Sequence, residues 1–161
     1  MLELEVLKIL EEDARQTPKQ IASMTGASTE EVVRIIKQAE EDGTICRYRA
    51  LIDWEKINDE RVWALIEVKV TPQRTVGFDA IAERIYQFEE ARTVYLMSGA
   101  YELAVLVRGK SMHDIADFVT QRLAAIEGVT GTTSHFLLKR YKEGGVIMSS
   151  QAASSRQAVV L

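Results

Sequence analysis

Cysteine, histidine and proline are nearly missing from this 161-residue chain, which holds 1 Cys, 2 His and 2 Pro. The single thiol, Cys46, closes no internal disulfide, and so few thiols and imidazoles cannot build a Cys/His cage. Neither metal nor other cofactor is expected, and a reducing compartment, the cytoplasm, is the natural location. Long apolar runs are missing as well. None approaches the roughly 18 residues that a membrane helix needs. The opening Met1-Leu2-Glu3-Leu4-Glu5 lacks the basic-then-apolar order of a secretory leader, so no membrane partner is expected. Catalytic signatures are equally thin: there is no Walker loop and no nucleophile elbow, and His113 and His135 are separated by a predicted helix end and a strand. Cys46 lies in apolar sequence that suits packing better than attack, and a non-enzymatic role is expected. Excess positive charge is absent too, with 20 Lys+Arg against 24 Asp+Glu and a net charge of −4. That balance argues against a nucleic-acid partner, whose phosphates favour basic surfaces.

What is present is a soluble globular composition, 47% apolar and 27% charged, enough for one ordinary domain or two small ones. Charge and hydrophobic period both divide it in two. Residues 1–60 hold 8 basic and 14 acidic side chains, net −6, whereas 61–161 hold 12 and 10, net +2. Up to Gly43 apolar residues recur at helical spacing; from Val62 onward β-branched runs alternate with helical stretches. The expected organisation is a helical domain over 1–60, a mixed domain over 61–143 and a loosely ordered tail over 144–161.

In the first half, Leu2, Val6, Ile9 and Leu10 line one face of a helix that ends near Arg15. Thr17-Pro18-Lys19-Gln20 reads as a helix start, with a capping Thr, Pro at the first helical position and Gln closing a capping box. This short helix stops at Gly26. Ser28-Thr29-Glu30-Glu31 opens a third with a second capping box, and Val32, Ile35, Ile36 and Ala39 form its buried stripe. Gly43 ends it, and Thr44 to Ile52 follows as strand-like sequence. Three short helices with a tight Gly-containing turn and a β-wing make a winged helix-turn-helix, whose third helix enters the DNA major groove. Ser28 and Thr29 stand at its leading end. Its outward face would present Thr29, Glu30, Val33, Arg34 and Lys37, with Arg47 and Arg49 on the wing placed to meet the phosphate backbone. For any one of these the bland alternative is a solvated surface charge.

The second half reads as strand, helix, strand, strand, helix, strand. Val62 to Val70 ends at Pro72; Phe78, Ile81, Ala82 and Ile85 mark a helix; Thr93 to Met97 and Tyr101 to Val107 form a hairpin around Ser98-Gly99-Ala100. Met112, Ile115, Ala116, Val119 and Leu123 mark a second helix ending at Gly128, and Thr132 to Tyr141 the last strand. This βαββαβ order is ferredoxin-like, four antiparallel strands with both helices on one face, so the whole chain is α+β. The first strand is apolar at both parities (Ala64, Ile66 and Val68 against Trp63 and Leu65), so the face without helices needs a cover, most simply a second copy of the chain.

Over about residues 2 to 142 the sequence resembles the Lrp/AsnC, or feast/famine, family of bacterial and archaeal regulators. The likeness rests on Ile9 to Arg15, on Ile21-Ala22 with Gly26-Ala27-Ser28 and Val32, and on Glu40 to Ile45 with Tyr48, Ala50 and Asp53. It continues in Gly99-Ala100-Tyr101-Glu102-Leu103, similar to the family's G-x-Y-D-L hairpin, and in Gly128-Val129 with Thr132 and Ser134. The resemblance implies a regulator of transcription that binds double-stranded DNA, dimerises through its ferredoxin-like domain, assembles into rings that are often octamers, and responds to an amino acid. By position it implies that Ser98, Gly99, Ala100, Tyr101 and Glu102, with Thr132 and Ser134, line the effector crevice. A glycine turn lets backbone N–H groups approach a carboxylate, and an acid beside it pairs with an ammonium. The alternative is that the turn only closes a hairpin and Tyr101 packs in an interface.

Three positions depart from the family pattern: Ile35 where a basic residue is common, Ala39 where leucine is, and Arg47 where glycine precedes the wing tyrosine. Glu31 is explained by its capping box, but Glu30 either reads a cytosine amine or costs affinity. Two rival functions remain open. One is an effector-binding oligomer whose acidic helix-turn-helix no longer binds DNA. The other is a tetrapyrrole enzyme like the sirohaem decarboxylases, which look like this family in fold; its polycarboxylate substrate needs a cluster of Arg and His, and the arginines of the second half are scattered along the sequence.

Overall fold

The computed structural model describes residues 1–57, 61–71 and 77–148. Pro72 and the tail from 149 onward lie outside the described residues. The chain divides into two compact units, Met1–Ile52 and a second from Asp53 onward. The division falls ahead of the 60/61 boundary read from composition, because Trp54–Ile57 is a 3-10 turn whose indole lies under Arg61, with Cζ 4.3 Å from the ring centroid.

In the first unit α1 spans Leu2–Glu12, α2 Pro18–Thr25 and α3 Thr29–Glu41. Val6 and Leu10 of α1 pack with Ile21, Ala22 and Val32, and Leu2, Ile9, Ile35, Ile36 and Ile45 close around them. α1 stops short of Arg15 because Asp13 turns to an extended conformation, and its carboxylate accepts from both the backbone N and Nε of Arg15 at 3.0 and 3.1 Å. Both capping boxes form: Gln20 N donates to Thr17 Oγ1 at 3.3 Å, and Glu31 N donates to Ser28 Oγ at 3.2 Å. Gly26, at φ 73°, makes the left-handed exit from α2 that leads into the next cap.

The wing expected over Thr44–Ile52 carries no strand pairing among the described residues. A strand needs a partner ladder, and this unit supplies none, so the segment follows α3 by local bonds instead. Ile45 N donates to Ala39 O at 2.8 Å, and the Tyr48 hydroxyl donates to Glu40 Oε1 at 2.9 Å. Cys46 is exposed there, contrary to the packing role expected of it.

The second unit is the βαββαβ arrangement. β1 (Val62–Val70), α4 (Phe78–Tyr86), β2 (Ala91–Leu96), β3 (Leu103–Gly109), α5 (Met112–Asp117) and β4 (Val129–Phe136) follow in chain order. The sheet is antiparallel throughout, in the order β2-β3-β1-β4. Ala64, Ile66, Val68, Leu103, Val105 and Val107 form its buried face against Ile81, Ile85, Ile115, Phe118 and Leu123 of the helices. Trp63 and Leu65 of β1 and Leu106 of β3 stand on the opposite face, half-buried, and Tyr95 of β2, opposite Ala104, is exposed there. α5 continues from Phe118 to Leu123 as a wider π-helical turn, closed by Ala124 N donating to Val119 O at 2.8 Å.

Several boundaries in this unit differ from those expected: β2 runs over Ala91–Leu96 rather than Thr93–Met97, and the second helix ends at Leu123 rather than at Gly128. β3 begins at Leu103 rather than Tyr101, because Met97 N donates to Glu102 O at 2.8 Å and closes a wider loop. β4 runs over Val129–Phe136 instead of Thr132–Tyr141, since β1 ends as its partner and Leu137 N makes the last bond, to Trp63 O. Residues 144–147, expected in the loose tail, instead complete a small hairpin that pairs β5 (Lys142–Glu143) with β6 (Val146–Ile147) around Gly144 and Gly145 at φ 52° and 82°.

Ile21 is fully buried in a small core, so Ile21→Ala is expected to destabilise the first unit by about 2–4 kcal/mol. Both tryptophans lie in the second unit, so a melt should show far-UV helical signal lost at lower temperature with tryptophan fluorescence unmoved. Gly128 sits at φ 94°, and a Cβ there would lie 2.7 Å from Ile81 Cδ1; Gly99 has open space and no such φ. Gly128→Ala is expected to cost about 1–3 kcal/mol and Gly99→Ala within about 0.5 kcal/mol by chemical denaturation.

Candidate functional site

The first candidate surface is α3. Val32 and Ala39 are buried, at 0% and 1% exposure, and this fixes the rotation of the helix. Thr29, Glu30, Val33, Arg34 and Lys37 then share the exposed side. Ser28 makes the capping box read for it: its hydroxyl accepts from Glu31 N and donates to Glu31 Oε2 at 3.0 Å. Glu31 is thereby folded back onto the helix end. The bonds from the Ser28 backbone and hydroxyl, with the nearby positive charge of Arg34, hold its carboxyl below the ordinary glutamate range. Lys37 reaches Glu41 at 3.6 Å in an exposed pair one helical turn apart, which is cheap to exchange for another anion. Arg47 and Arg49 are exposed on the extended segment, and Tyr48 between them is tied to α3 through Glu40. Burial, then the Glu40 bond, raises that phenol. The sequence shows Tyr48 as a family-like residue only; its anchoring partner lies eight positions back on the preceding helix.

The second surface is the β2–β3 connection. Ser98, Gly99 and Ala100 are exposed, and Tyr101 and Glu102 are half-buried. Glu102 reaches across to the end of β1, where its Oε2 accepts from Val70 N at 2.7 Å. The carboxylate therefore ties the loop to the sheet, a role that sequence pattern did not reveal. Thr132 and Ser134 lie opposite Val68 and Ile66 on β4, so their side chains share the helix-covered face rather than the open one. Val68 also pairs with Leu103, which puts Thr132 at the same end of the sheet as the loop with β1 between them; Ser134 lies two residues farther along.

The second unit also gathers what its sequence scatters. Arg61, Arg108, Lys110 and Arg122 line one cleft of about 550 Å³ at the far end of β3, together with Glu89, Glu90, Asp114 and Asp117. Four acids share it, and no histidine lines it, which disfavours a polycarboxylate tetrapyrrole.

Because Glu102 satisfies the Val70 N–H, Glu102→Ala is expected to destabilise the second unit by about 1–3 kcal/mol in urea denaturation with no ligand present.

Comparison with known proteins agrees with this architecture. The family described as the Lrp/AsnC ligand binding domain matches residues 63–147, and a winged helix-turn-helix DNA-binding family matches residues 2–45. An uncharacterized HTH-type transcriptional regulator of Bacillus subtilis, YugG, is 48% identical over 149 residues, covering 92% of this chain and 90% of that protein. LrpA of Pyrococcus abyssi, an HTH-type transcriptional regulator, is 30% identical over 137 residues, covering 85% and 94%. Among solved structures, the leucine response regulatory protein LrpA of Mycobacterium tuberculosis shares the fold at a TM-score of 0.75 and 22% identity, covering 92% of this chain and 98% of that one. The Neisseria meningitidis regulator NMB0573, solved as its L-Met complex, does so at 0.70 and 23%, covering 88% and 91%. The chain belongs to the Lrp/AsnC family of transcriptional regulators, a winged helix-turn-helix domain followed by a ferredoxin-like ligand-binding domain.

Proposed function

We propose that this regulator reads double-stranded DNA with α3, and that an amino acid held at the β2–β3 loop changes its DNA binding or its assembly. In this reading residues 1–60 serve DNA, 61–143 serve the ligand and the dimer, and the protein works in the cytoplasm. The observation that carries it is the exposed row of Thr29, Val33, Arg34 and Lys37 opposite a buried stripe on a helix capped at its leading end. With that end in the major groove, Arg34 reaches a guanine edge or a phosphate, Val33 meets a thymine methyl, and Thr29 lies near the bases. Ser28 sets the helix end. Lys37, Arg47 and Arg49 neutralise backbone phosphates, and Glu30 accepts from a cytosine amine.

At the loop, the backbone N–H groups of Ser98, Gly99 and Ala100 receive the ligand carboxylate, with Tyr101 beside them. Glu102 has one oxygen on Val70 N and the other left for an ammonium; Thr132, at the same end of the sheet but across β1, and Ser134 farther along would meet the ligand only at its outer edge. The NMB0573 complex with L-Met and a feast or famine regulatory protein of M. tuberculosis complexed with L-methionine support an amino acid as the class. Trp63, Leu65, Leu106 and Tyr95 on the uncovered sheet face supply the apolar surface for a homodimer, from which larger rings, octamers included, would grow.

A gel-shift series against the upstream region of its own gene, repeated over several salt concentrations, tests the DNA half. Affinity is expected to fall steeply with salt as counterions are released, and Arg34→Ala to weaken binding by about 1–3 kcal/mol. No shift at low salt would favour instead an effector-binding oligomer with a non-DNA-binding helical domain, the reading that the −6 charge of residues 1–60 favours.

For the ligand half, a thermal-shift screen over free amino acids should find one that at about 100 times its Kd adds roughly 2.7 kcal/mol of stability. Gly99→Val should remove that shift while leaving the unliganded melt in place. Sedimentation at micromolar concentration should give a dimer or larger, and a monomer would sink the sheet-face interface.

A further inference from the structure

We infer that the cleft at the far end of β3 is a second small-molecule site, separate from the β2–β3 loop, and that it takes a zwitterion carrying both an ammonium and a carboxylate. The inference does not depend on the loop binding anything. Its volume, about 550 Å³, is in the range of small-ligand sites. One wall is held by Arg122: its Nη1 is bonded to Glu90 Oε1, and its guanidinium lies over the rings of Phe88 and Phe118 at 4.3 and 5.5 Å. Those two rings meet edge to face at 5.4 Å.

Phe118, Gln121 and Arg122 all lie on the π-helical turn, a rare backbone form that is frequent at functional sites. Against this wall stand side chains of both signs. Lys110 follows the last residue of β3, and Asp114 lies on the first turn of α5, both exposed. Glu90 is held back in the wall by its bond to Arg122, its second oxygen, Oε2, being buried with no hydrogen-bond partner among the described residues. A purely cationic lining would select a polyanion and a purely acidic one a metal or polyamine. This mixture instead matches a ligand that brings one charge of each sign, its carboxylate to Lys110 and its ammonium to Asp114, with its side chain toward Phe118.

The test is isothermal titration of the full-length protein with free methionine, leucine, lysine and glutamate, and with the N-acetyl and carboxamide derivative of each, run on wild type, Lys110→Met, Asp114→Asn and Gly99→Val. The expected result is a binding event that survives Gly99→Val and that is roughly tenfold weaker for both derivatives. Lys110→Met should weaken the free acid by a similar factor and leave the carboxamide unchanged. Asp114→Asn should weaken the free amine and leave the N-acetyl form unchanged. The site is overturned if every binding event is lost in Gly99→Val, if none of the free amino acids binds, or if the cleft variants bind free and blocked ligands with wild-type ratios.

Discussion

The central place of β1 in the sheet, paired antiparallel with β3 on one edge and β4 on the other, is the constraint on which the second unit depends. A strand bonded on both edges exposes only its two faces, and β1 is apolar on both. One face, Ala64, Ile66 and Val68, is fully buried under α4 and the α5 helix. The other, Trp63 and Leu65, is covered only in part. The same strand positions both candidate ligand regions. Its far end supplies the Val70 N–H that holds Glu102 and hence the loop, and its near end lies beside β3 where the polar cleft opens. The sheet thus carries two chemically distinct ends: a glycine-containing loop rich in backbone donors, and a cleft built from paired and unpaired side-chain charges.

In the first unit the governing device is the helix cap. Thr17 and Ser28 each satisfy an otherwise orphaned N–H, and each draws back the side chain three residues on. For α3 this has a functional consequence. One of the two acids at the leading end of α3, Glu31, is consumed by the cap and its carboxyl held below the ordinary glutamate range there. The acidity that argued against nucleic acid becomes a local matter at Glu30. Arg34, Lys37, Arg47 and Arg49 stand exposed against it.

Features set by near neighbours in the chain were legible beforehand. The helices of the first unit follow from i, i+3, i+4 spacing and two capping boxes, and the βαββαβ order follows from alternating runs and punctuation at glycine. Misreadings came where a long-range partner decides. Thr44–Ile52 has the residues of a strand but no ladder to join. β4 starts at Val129 because β1 reaches that far, and Tyr101-Glu102 leaves β3 because Met97 N closes the loop on Glu102 O, with the Glu102 carboxylate accepting from Val70 N.

What the sequence by itself determined, then, is local: helix starts and stops, the strand periodicity, and the family resemblance carried by motifs such as Gly99 to Leu103. Tertiary structure decided which charges meet. Arg61, Arg108, Lys110 and Arg122 are spread over sixty residues of chain and converge only because antiparallel pairing returns β3 beside β1 and α5 folds back onto the sheet. Periodicity reports which face a residue takes relative to its own element. Which elements share an end of the sheet is fixed by strand order and register, and these follow from burial of apolar area summed over the whole unit, a quantity that no short stretch of sequence contains.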